Sequence, residues 1–178
     1  MWILWVVTAV AISGAARAGA EAPNLGRFDP TPFEIAERML QLAGVTQDDV
    51  VYDLGSGDGR IVILAATRYG ARGVGVEIDP QLVGFSRREA KRHQVEHLVA
   101  FYHADALTAD VSAATVVTLF LTPQANLLLR PKLQRELRPG TRVVSHEHNM
   151  GDWAPERSER VRARSGLIHT LYLWRIGS

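Results

Sequence analysis

Short apolar runs alternate with segments in which apolar residues recur every three or four positions. The short runs predict buried β-strands, and the periodic segments predict amphipathic α-helices. The predicted strands lie at residues 50–54, 73–78, 99–103, 115–121 and 142–146. The predicted helices lie at residues 31–43, 60–69, 80–94 and 122–137.

The end of the chain shows a different pattern. Two further strands are predicted at residues 160–164 and 167–176, with a turn at Ser165-Gly166 between them. Alternating strands and helices followed by a terminal hairpin predict an α/β fold. We expect a doubly wound, mostly parallel seven-stranded sheet with an antiparallel C-terminal hairpin. Ligands of such sheets bind outside the carboxyl ends of the strands.

Local residues predict where several helices begin and end. Thr31-Pro32-Phe33-Glu34 has the pattern of a capping box, with threonine as the N-cap. Asp79 and Thr122 each precede a proline and are the predicted N-caps of the third and fourth helices. Pro131 lies inside the last periodic segment, where it is expected to break the helix.

The first 20 residues form an apolar segment without a charged side chain before Arg17. Ala18-Gly19-Ala20 fits a signal-peptide cleavage site, but the usual positive region before the apolar run is missing. Because the basic residue follows the run, the positive-inside rule places the downstream side in the cytoplasm. We therefore expect an uncleaved membrane anchor. The alternatives are a cleaved signal peptide with export, and a misassigned start codon. Residues 21–30 are a predicted linker and residues 31–178 one folded domain.

Three glycines alternate between the first strand and the next helix, in Asp53-Leu54-Gly55-Ser56-Gly57-Asp58-Gly59. Glycine allows a sharp turn and close approach of the backbone to a ligand, and the helix that follows points its free N–H groups there. The spacing differs from the dinucleotide fingerprint, because Arg60 takes the place of the third glycine. Asp53 is placed to meet a positive group of the ligand, such as an amino group.

A second acid follows at the end of the next strand. Glu77 lies 22 residues after Gly55, which is about the spacing at which an acid of a βαβ unit reaches a ribose diol. The alternative is that Glu77 merely ends its strand. Two acids and a glycine turn together predict a nucleotide-type ligand site.

The glycine motif with its two acids resembles the class I S-adenosylmethionine-dependent methyltransferases. Later segments resemble a narrower group, the seven-β-strand protein-lysine methyltransferases with bacterial and mitochondrial members. The mitochondrial members modify the adenine nucleotide translocase and the c-ring protein of the ATP synthase. Residues 53–57 also resemble the histone-lysine methyltransferase that lacks a SET domain. The resemblance covers about residues 28–153, and these runs carry it: 116–123, 129–133, 139–146 and 150–153.

The resemblance implies a Rossmann-like methyltransferase fold over residues 31–178 and S-adenosylmethionine as the cofactor. Asp105 would face the adenine amino group, with the Ala106 N–H at a ring nitrogen; the alternative for Asp105 is a turn residue. The residues expected to bind the cofactor are Thr31, Asp53, Gly55, Ser56, Gly57, Asp58, Gly59, Glu77, Ile78, Asp105, Ala106 and Leu121. A cofactor made in the cytoplasm also favours a catalytic domain on that side of the membrane.

The expected substrate is a protein lysine, with a membrane protein as one candidate. Thr122 and Asn126 could orient the amine, although capping and helix surface explain them as well. Many nitrogen methyltransferases have Asn/Asp-Pro-Pro-Tyr/Phe after the fourth strand. This chain has Leu121-Thr122-Pro123-Gln124 there, which argues against nucleobase or glutamine substrates. A small-molecule methyltransferase and a non-catalytic cofactor-binding module are the alternatives.

Composition limits the remaining chemistry. A net charge of +1 predicts no strong field for nucleic acid, and the absence of cysteine excludes disulfides and thiolate nucleophiles. His146 and His148 form a His-x-His pair without an evident carboxylate or third histidine beside it. No metal site is therefore predicted.

Overall fold

The computed structural model describes residues 29–177. Its centre is a seven-stranded sheet in the order β3-β2-β1-β4-β5-β7-β6. The strands are β1 (Val50–Leu54), β2 (Arg72–Glu77), β3 (Val99–His103), β4 (Val116–Leu119), β5 (Arg142–His146), β6 (Arg157–Arg162) and β7 (Ile168–Arg175). The helices are α1 (Phe33–Ala43), α2 (Arg60–Tyr69), α3 (Pro80–Arg92) and α4 (Pro123–Glu136).

Strands β1 to β5 are parallel, whereas β7 runs antiparallel to both β5 and β6. Apolar residues of α1 and α2 pack on one face of the sheet, and those of α4 pack on the other. A third cluster joins α2 and α3 to Phe101 of β3. Every residue of β4 is buried, as expected for a strand covered on both faces. This architecture confirms the predicted fold class.

The predicted capping box at the start of α1 is wrong. Pro32 occupies the N-cap position, and no side chain among residues 29–177 caps the helix. The hydroxyl of Thr31 instead lies 3.2 Å from Nδ1 of His146, and the Glu34 carboxylate accepts a hydrogen bond of 3.0 Å from the Arg164 N–H. Both side chains are thus drawn to the C-terminal part of the sheet, away from the helix end.

Helix α4 does not break at Pro131, in contrast to the prediction. Leu129 and Leu133 flank the proline and are fully buried against the sheet. The missing N–H leaves the Leu127 carbonyl without its helical donor, but Leu127 is half-exposed and water can reach it. Packing on both sides of Pro131 therefore keeps the helix continuous.

The predicted caps at Asp79 and Thr122 are confirmed, since each side chain accepts a hydrogen bond from a backbone N–H of its helix. The hairpin is confirmed too, although β6 begins at Arg157 rather than at residue 160.

Across residues 29–177, none of the helices has the length and apolar character needed to cross a membrane. The predicted anchor, residues 1–20, lies outside the described residues.

Candidate functional site

A cleft of about 290 Å³ opens at the carboxyl ends of the parallel strands. It lies beside β1 and β4, where the strand order reverses, which is the usual ligand position in doubly wound sheets. The loop from β1 to α2, the end of β2 and the segments after β3 and β4 all contribute to its walls. The lining residues are Asp29, Pro30, Thr31, Asp53, Gly55, Ser56, Gly57, Asp58, Arg60, Ile61, Val76, Glu77, Ile78, Asp79, Leu82, Ala104, Ala106, Phe120 and Leu121.

The glycine loop lines this cleft through Gly55 and Gly57. Gly55, Gly57 and Gly59 have φ angles of 81°, 54° and 79°, a region in which side chains are strained. A Cβ on Gly55 would come within 2.6 Å of the Leu121 side chain, and one on Gly59 within 2.7 Å of the Phe101 ring. Glycine is therefore required by conformation and by space at both ends of the loop.

Glu77 connects the end of β2 to this loop. One carboxylate oxygen accepts a hydrogen bond of 2.8 Å from the Gly57 N–H, and the other accepts one of 2.9 Å from the Asp79 N–H. The side chain is only 8% exposed. Since each carboxylate oxygen can accept more than one hydrogen bond, both remain able to bind ligand hydroxyl groups.

Asp53 is a buried acid in the same cleft, with 3% of its surface exposed. Burial raises the pKa of its carboxyl group to about 7, and the nearby charges of Glu77 and Asp58 act in the same direction. The hydroxyl of Thr118 donates a hydrogen bond of 2.7 Å to Asp53 and opposes this shift in pKa. A positive ligand group beside Asp53 would stabilise the ionised form.

Arg60 connects the segment before α1 to the glycine loop. Its guanidinium donates to the carboxylate of Asp58, with Nε 2.9 Å from Oδ1, and to the carbonyl of Thr31 at 2.9 Å. The same guanidinium lies 4.7 Å from the centre of the Phe33 ring. In the sequence, Arg60 stands out only as a departure from the dinucleotide motif, because its partner at Thr31 is remote in the chain.

The structure brings together every predicted cofactor-binding residue except Gly59 and Asp105. Gly59 lies beneath the loop against Phe101. The Asp105 side chain is partly exposed and accepts a hydrogen bond of 2.8 Å from the Leu107 N–H, as a turn residue does. The individual contacts of all these residues with the cofactor stay predictions.

The predicted substrate-positioning residues do not line the cleft. Thr122 caps α4 through a hydrogen bond of 3.2 Å from Ala125. Asn126 is fully buried, and its amide nitrogen donates to the Ser145 hydroxyl and to the His148 carbonyl, each at 3.0 Å. Their geometry is therefore that of a cap and of a link between α4 and the segment after β5.

Several other lining residues were not predicted from the sequence. Asp29 and Pro30 fell in the predicted linker, and Leu82 in the first turn of a predicted helix. Phe120 directly precedes the predicted contact Leu121, so its position at the end of the fourth strand could have indicated it. Asp29 and Pro30 likewise directly precede the predicted contact Thr31, whereas no local signal marks Leu82.

Comparison with known proteins agrees with this geometry. The family model for the ANTKMT methyltransferase domain matches residues 53–157. A protein-lysine N-methyltransferase from Saccharolobus islandicus is 43% identical over 152 residues, covering 84% of this chain and 93% of that protein. An adenine nucleotide translocase lysine N-methyltransferase from Mus musculus is 42% identical over 117 residues, covering 62% of this chain. This chain spans about half of that mouse protein, 51% of its length.

A solved structure shares the fold at high similarity. It is an RNA methyltransferase from Salinibacter ruber in complex with S-adenosyl-L-homocysteine. The TM-score is 0.79 and the sequence identity 53%, covering 83% of this chain and 94% of the other. These relatives are named for different substrates, RNA in one case and protein lysines in the others. The family model and the similarity along nearly the whole of the Saccharolobus protein show that the chain belongs to the ANTKMT methyltransferase domain family.

Proposed function

We propose that this protein transfers a methyl group from S-adenosylmethionine to the side-chain amine of a lysine in a protein. The observation that carries the proposal is the 43% identity with a protein-lysine N-methyltransferase over 84% of the chain. The cleft at the carboxyl edge of the sheet supplies the groups that such a cofactor needs.

The residues present fit S-adenosylmethionine. The cofactor has an ammonium group, which matches the buried carboxyl of Asp53, and a ribose diol, which matches the carboxylate of Glu77. Ser56 also lines the cleft, and its buried hydroxyl oxygen has no hydrogen-bond partner within the described residues, so a ligand could supply one. When bound, the cofactor supplies a methyl group on a positively charged sulfur, which a neutral amine attacks in line.

The chain contributes positioning and exclusion of water. Phe120 and Leu121 give one side of the cleft an apolar wall. A lysine amine next to such a wall loses hydration, which lowers its pKa and favours the neutral form that attacks. Holding this amine in line with the methyl group then supplies most of the rate enhancement.

RNA is the rival substrate, because the similar Salinibacter protein is named as an RNA methyltransferase. Two features of this chain favour protein. Its net charge of +1 gives no strong attraction for a phosphate backbone. The segment after β4, Leu121-Thr122-Pro123-Gln124, also lacks the Asn/Asp-Pro-Pro-aromatic pattern of many enzymes that methylate nucleobases.

Incubation of the full-length protein with methyl-labelled S-adenosylmethionine distinguishes these substrates. Separate reactions should contain cell membranes, soluble proteins, total RNA and small metabolites from the source cells. We expect label in a protein band that yields methyllysine after acid hydrolysis, and no label with Asp53→Ala. Label in RNA or in a small product would replace the lysine proposal. Absence of any transfer by protein that binds the cofactor would indicate a non-catalytic binding module.

A further inference from the structure

Three potential metal ligands converge behind the cleft, at the ends of β5 and β7. Nε2 of His146 lies 2.9 Å from Nδ1 of His169. Oε1 of Glu147 lies 2.9 Å from the same nitrogen and 3.4 Å from Nε2 of His146. The His146 side chain is 1% exposed, that of His169 13% and that of Glu147 31%, so the group is buried on one side and reaches solvent on the other.

The sheet explains why these residues meet. His146 pairs with Leu171 on antiparallel β7, which places His169 two residues along the neighbouring strand. Successive side chains of a strand normally point to opposite faces, which would separate His146 from Glu147. Glu147 instead has a left-handed backbone with φ 65°, held by a hydrogen bond of 2.7 Å from its N–H to the Thr170 carbonyl. This turn directs its carboxylate toward the two imidazoles.

The three atoms lie close enough together to share one central position. Nδ1 of His169 carries at most one hydrogen, yet both Nε2 of His146 and Oε1 of Glu147 lie 2.9 Å from it. A neutral imidazole offers a lone pair, which is the form that binds metal ions.

We propose that His146, Glu147 and His169 form a site for a divalent transition metal of the zinc class. In a tetrahedral zinc site with bonds of about 2.0–2.1 Å, neighbouring ligand atoms lie about 3.3 Å apart. The distances between these three atoms, 2.9, 2.9 and 3.4 Å, require only small adjustments. Two imidazoles and one carboxylate leave the fourth coordination position for water.

The contacts of His146 connect this site to the cofactor cleft. Its Nδ1 lies 3.2 Å from the Thr31 hydroxyl, a hydrogen bond of the kind that orients metal-binding histidines. Its ring lies 4.0 Å from the ring of Phe120. Thr31 and Phe120 both line the cleft, so the metal would act as a positioning element behind two of its walls.

The sequence pattern does not indicate this site, because the His-x-His spacing pairs His146 with His148, whereas His169 is remote in the chain. The folded sheet offers other partners, since Glu147 and His169 join His146 and the His148 side chain is not part of the group. His148 is therefore a matched control, being a histidine two residues from His146.

Zinc binding to the full-length protein, stripped of metal with a chelator, tests the proposal by titration calorimetry. We expect one equivalent of Zn²⁺ to bind wild type and His148→Ala alike. Glu147→Gln and His169→Asn should each lose at least tenfold in affinity. Co²⁺ in wild type should give the visible absorption bands of a tetrahedral site. Melting curves without metal check that each variant folds.

Three results would overturn the proposal. They are no stoichiometric binding by wild type, unchanged affinity in both Glu147→Gln and His169→Asn, and an equal loss in His148→Ala. If His169→Asn does not fold, Glu147→Gln decides alone, because its side chain is partly exposed and keeps its size. The measurement does not depend on methyl transfer, so it stands even if the substrate proposed above is wrong.

Discussion

At the scale of single residues, Asp53 has the most unusual environment in the cleft. Its pKa is raised to about 7 from 3.8, chiefly because burial disfavours the charge. Between these two values the folded protein keeps a proton that the unfolded chain has lost. Raising the pH through this range therefore lowers the stability of the ligand-free protein.

Asp53 of the ligand-free protein favours the protonated form. Cofactor binding should reverse this preference, since an ammonium group beside Asp53 favours the carboxylate. Binding below pH 7 then releases a proton, and affinity should rise with pH by up to about tenfold per unit before levelling off near pH 7. Calorimetry between about pH 5.5 and 7.5 measures this slope. Asp53→Asn should bind weakly without the slope, whereas Asp58→Asn should keep a slope. If the affinity of wild type does not change with pH, Asp53 does not contact the ammonium group.

Glu77 is the second acid whose role can be measured. Glu77→Ala removes a charged acceptor from two ribose hydroxyls, and each such hydrogen bond contributes about 1.5–3 kcal/mol. We expect at least tenfold weaker cofactor binding, which corresponds to about 1.4 kcal/mol. Glu77→Gln keeps the size of the side chain and separates loss of charge from loosening of the Gly57 N–H contact. Wild-type affinity in a folded Glu77→Ala variant would contradict the ribose assignment.

At the scale of elements, helix starts show what local sequence can and cannot predict. Asp79 and Thr122 precede prolines and cap their helices as expected. Thr31 has the same local pattern, but its hydroxyl bonds to His146, 115 residues away. A helix cap depends on a few neighbouring residues, so the local sequence predicts it. The contact of Thr31 with His146 depends on the assembled sheet, so the local sequence does not predict it.

Arg60 should control how the segment before α1 covers the cleft. Arg60→Ala removes the bonds to the Thr31 carbonyl and to Asp58, together with the contact on Phe33. Cofactor affinity should fall by about tenfold, the effect of one charged hydrogen bond. Amide exchange at Asp29, Thr31 and Phe33 should become faster. The exposed Arg68 on the same helix is the control, and Arg68→Ala should change neither quantity. Unchanged exchange in Arg60→Ala would show that other contacts hold the segment.

At the scale of the whole molecule, the parallel strands explain why the cofactor site was predictable. Asp53, Glu77, Ala106 and Leu121 lie at or just beyond the carboxyl ends of four parallel strands, and these ends meet at one edge of the sheet. The group at His146 was not predictable in this way. It depends on the antiparallel register between β5 and β7 and on the left-handed backbone of Glu147, neither of which periodicity reveals.

The location of the enzyme in the cell depends on residues 1–20, which lie outside the described part of the chain. We propose that the apolar segment 1–20 anchors the enzyme in the membrane with its catalytic domain in the cytoplasm. The motivation is that Arg17, the first basic residue, follows the apolar run, which favours a cytoplasmic position for what comes after it. The cofactor is also made on that side.

Fractionation and a reporter fusion test this arrangement. The full-length protein should sediment with membranes, and a reporter that is active only in the cytoplasm should be active when fused after Ser178. Deletion of residues 1–20 should lower methylation of membrane-embedded proteins but leave that of a soluble lysine peptide unchanged, because only proximity to the membrane is lost. Exported protein with a new N-terminus near Glu21 would instead identify Ala18-Gly19-Ala20 as a cleavage site. Equal loss on both substrates would mean that the segment supports folding rather than location.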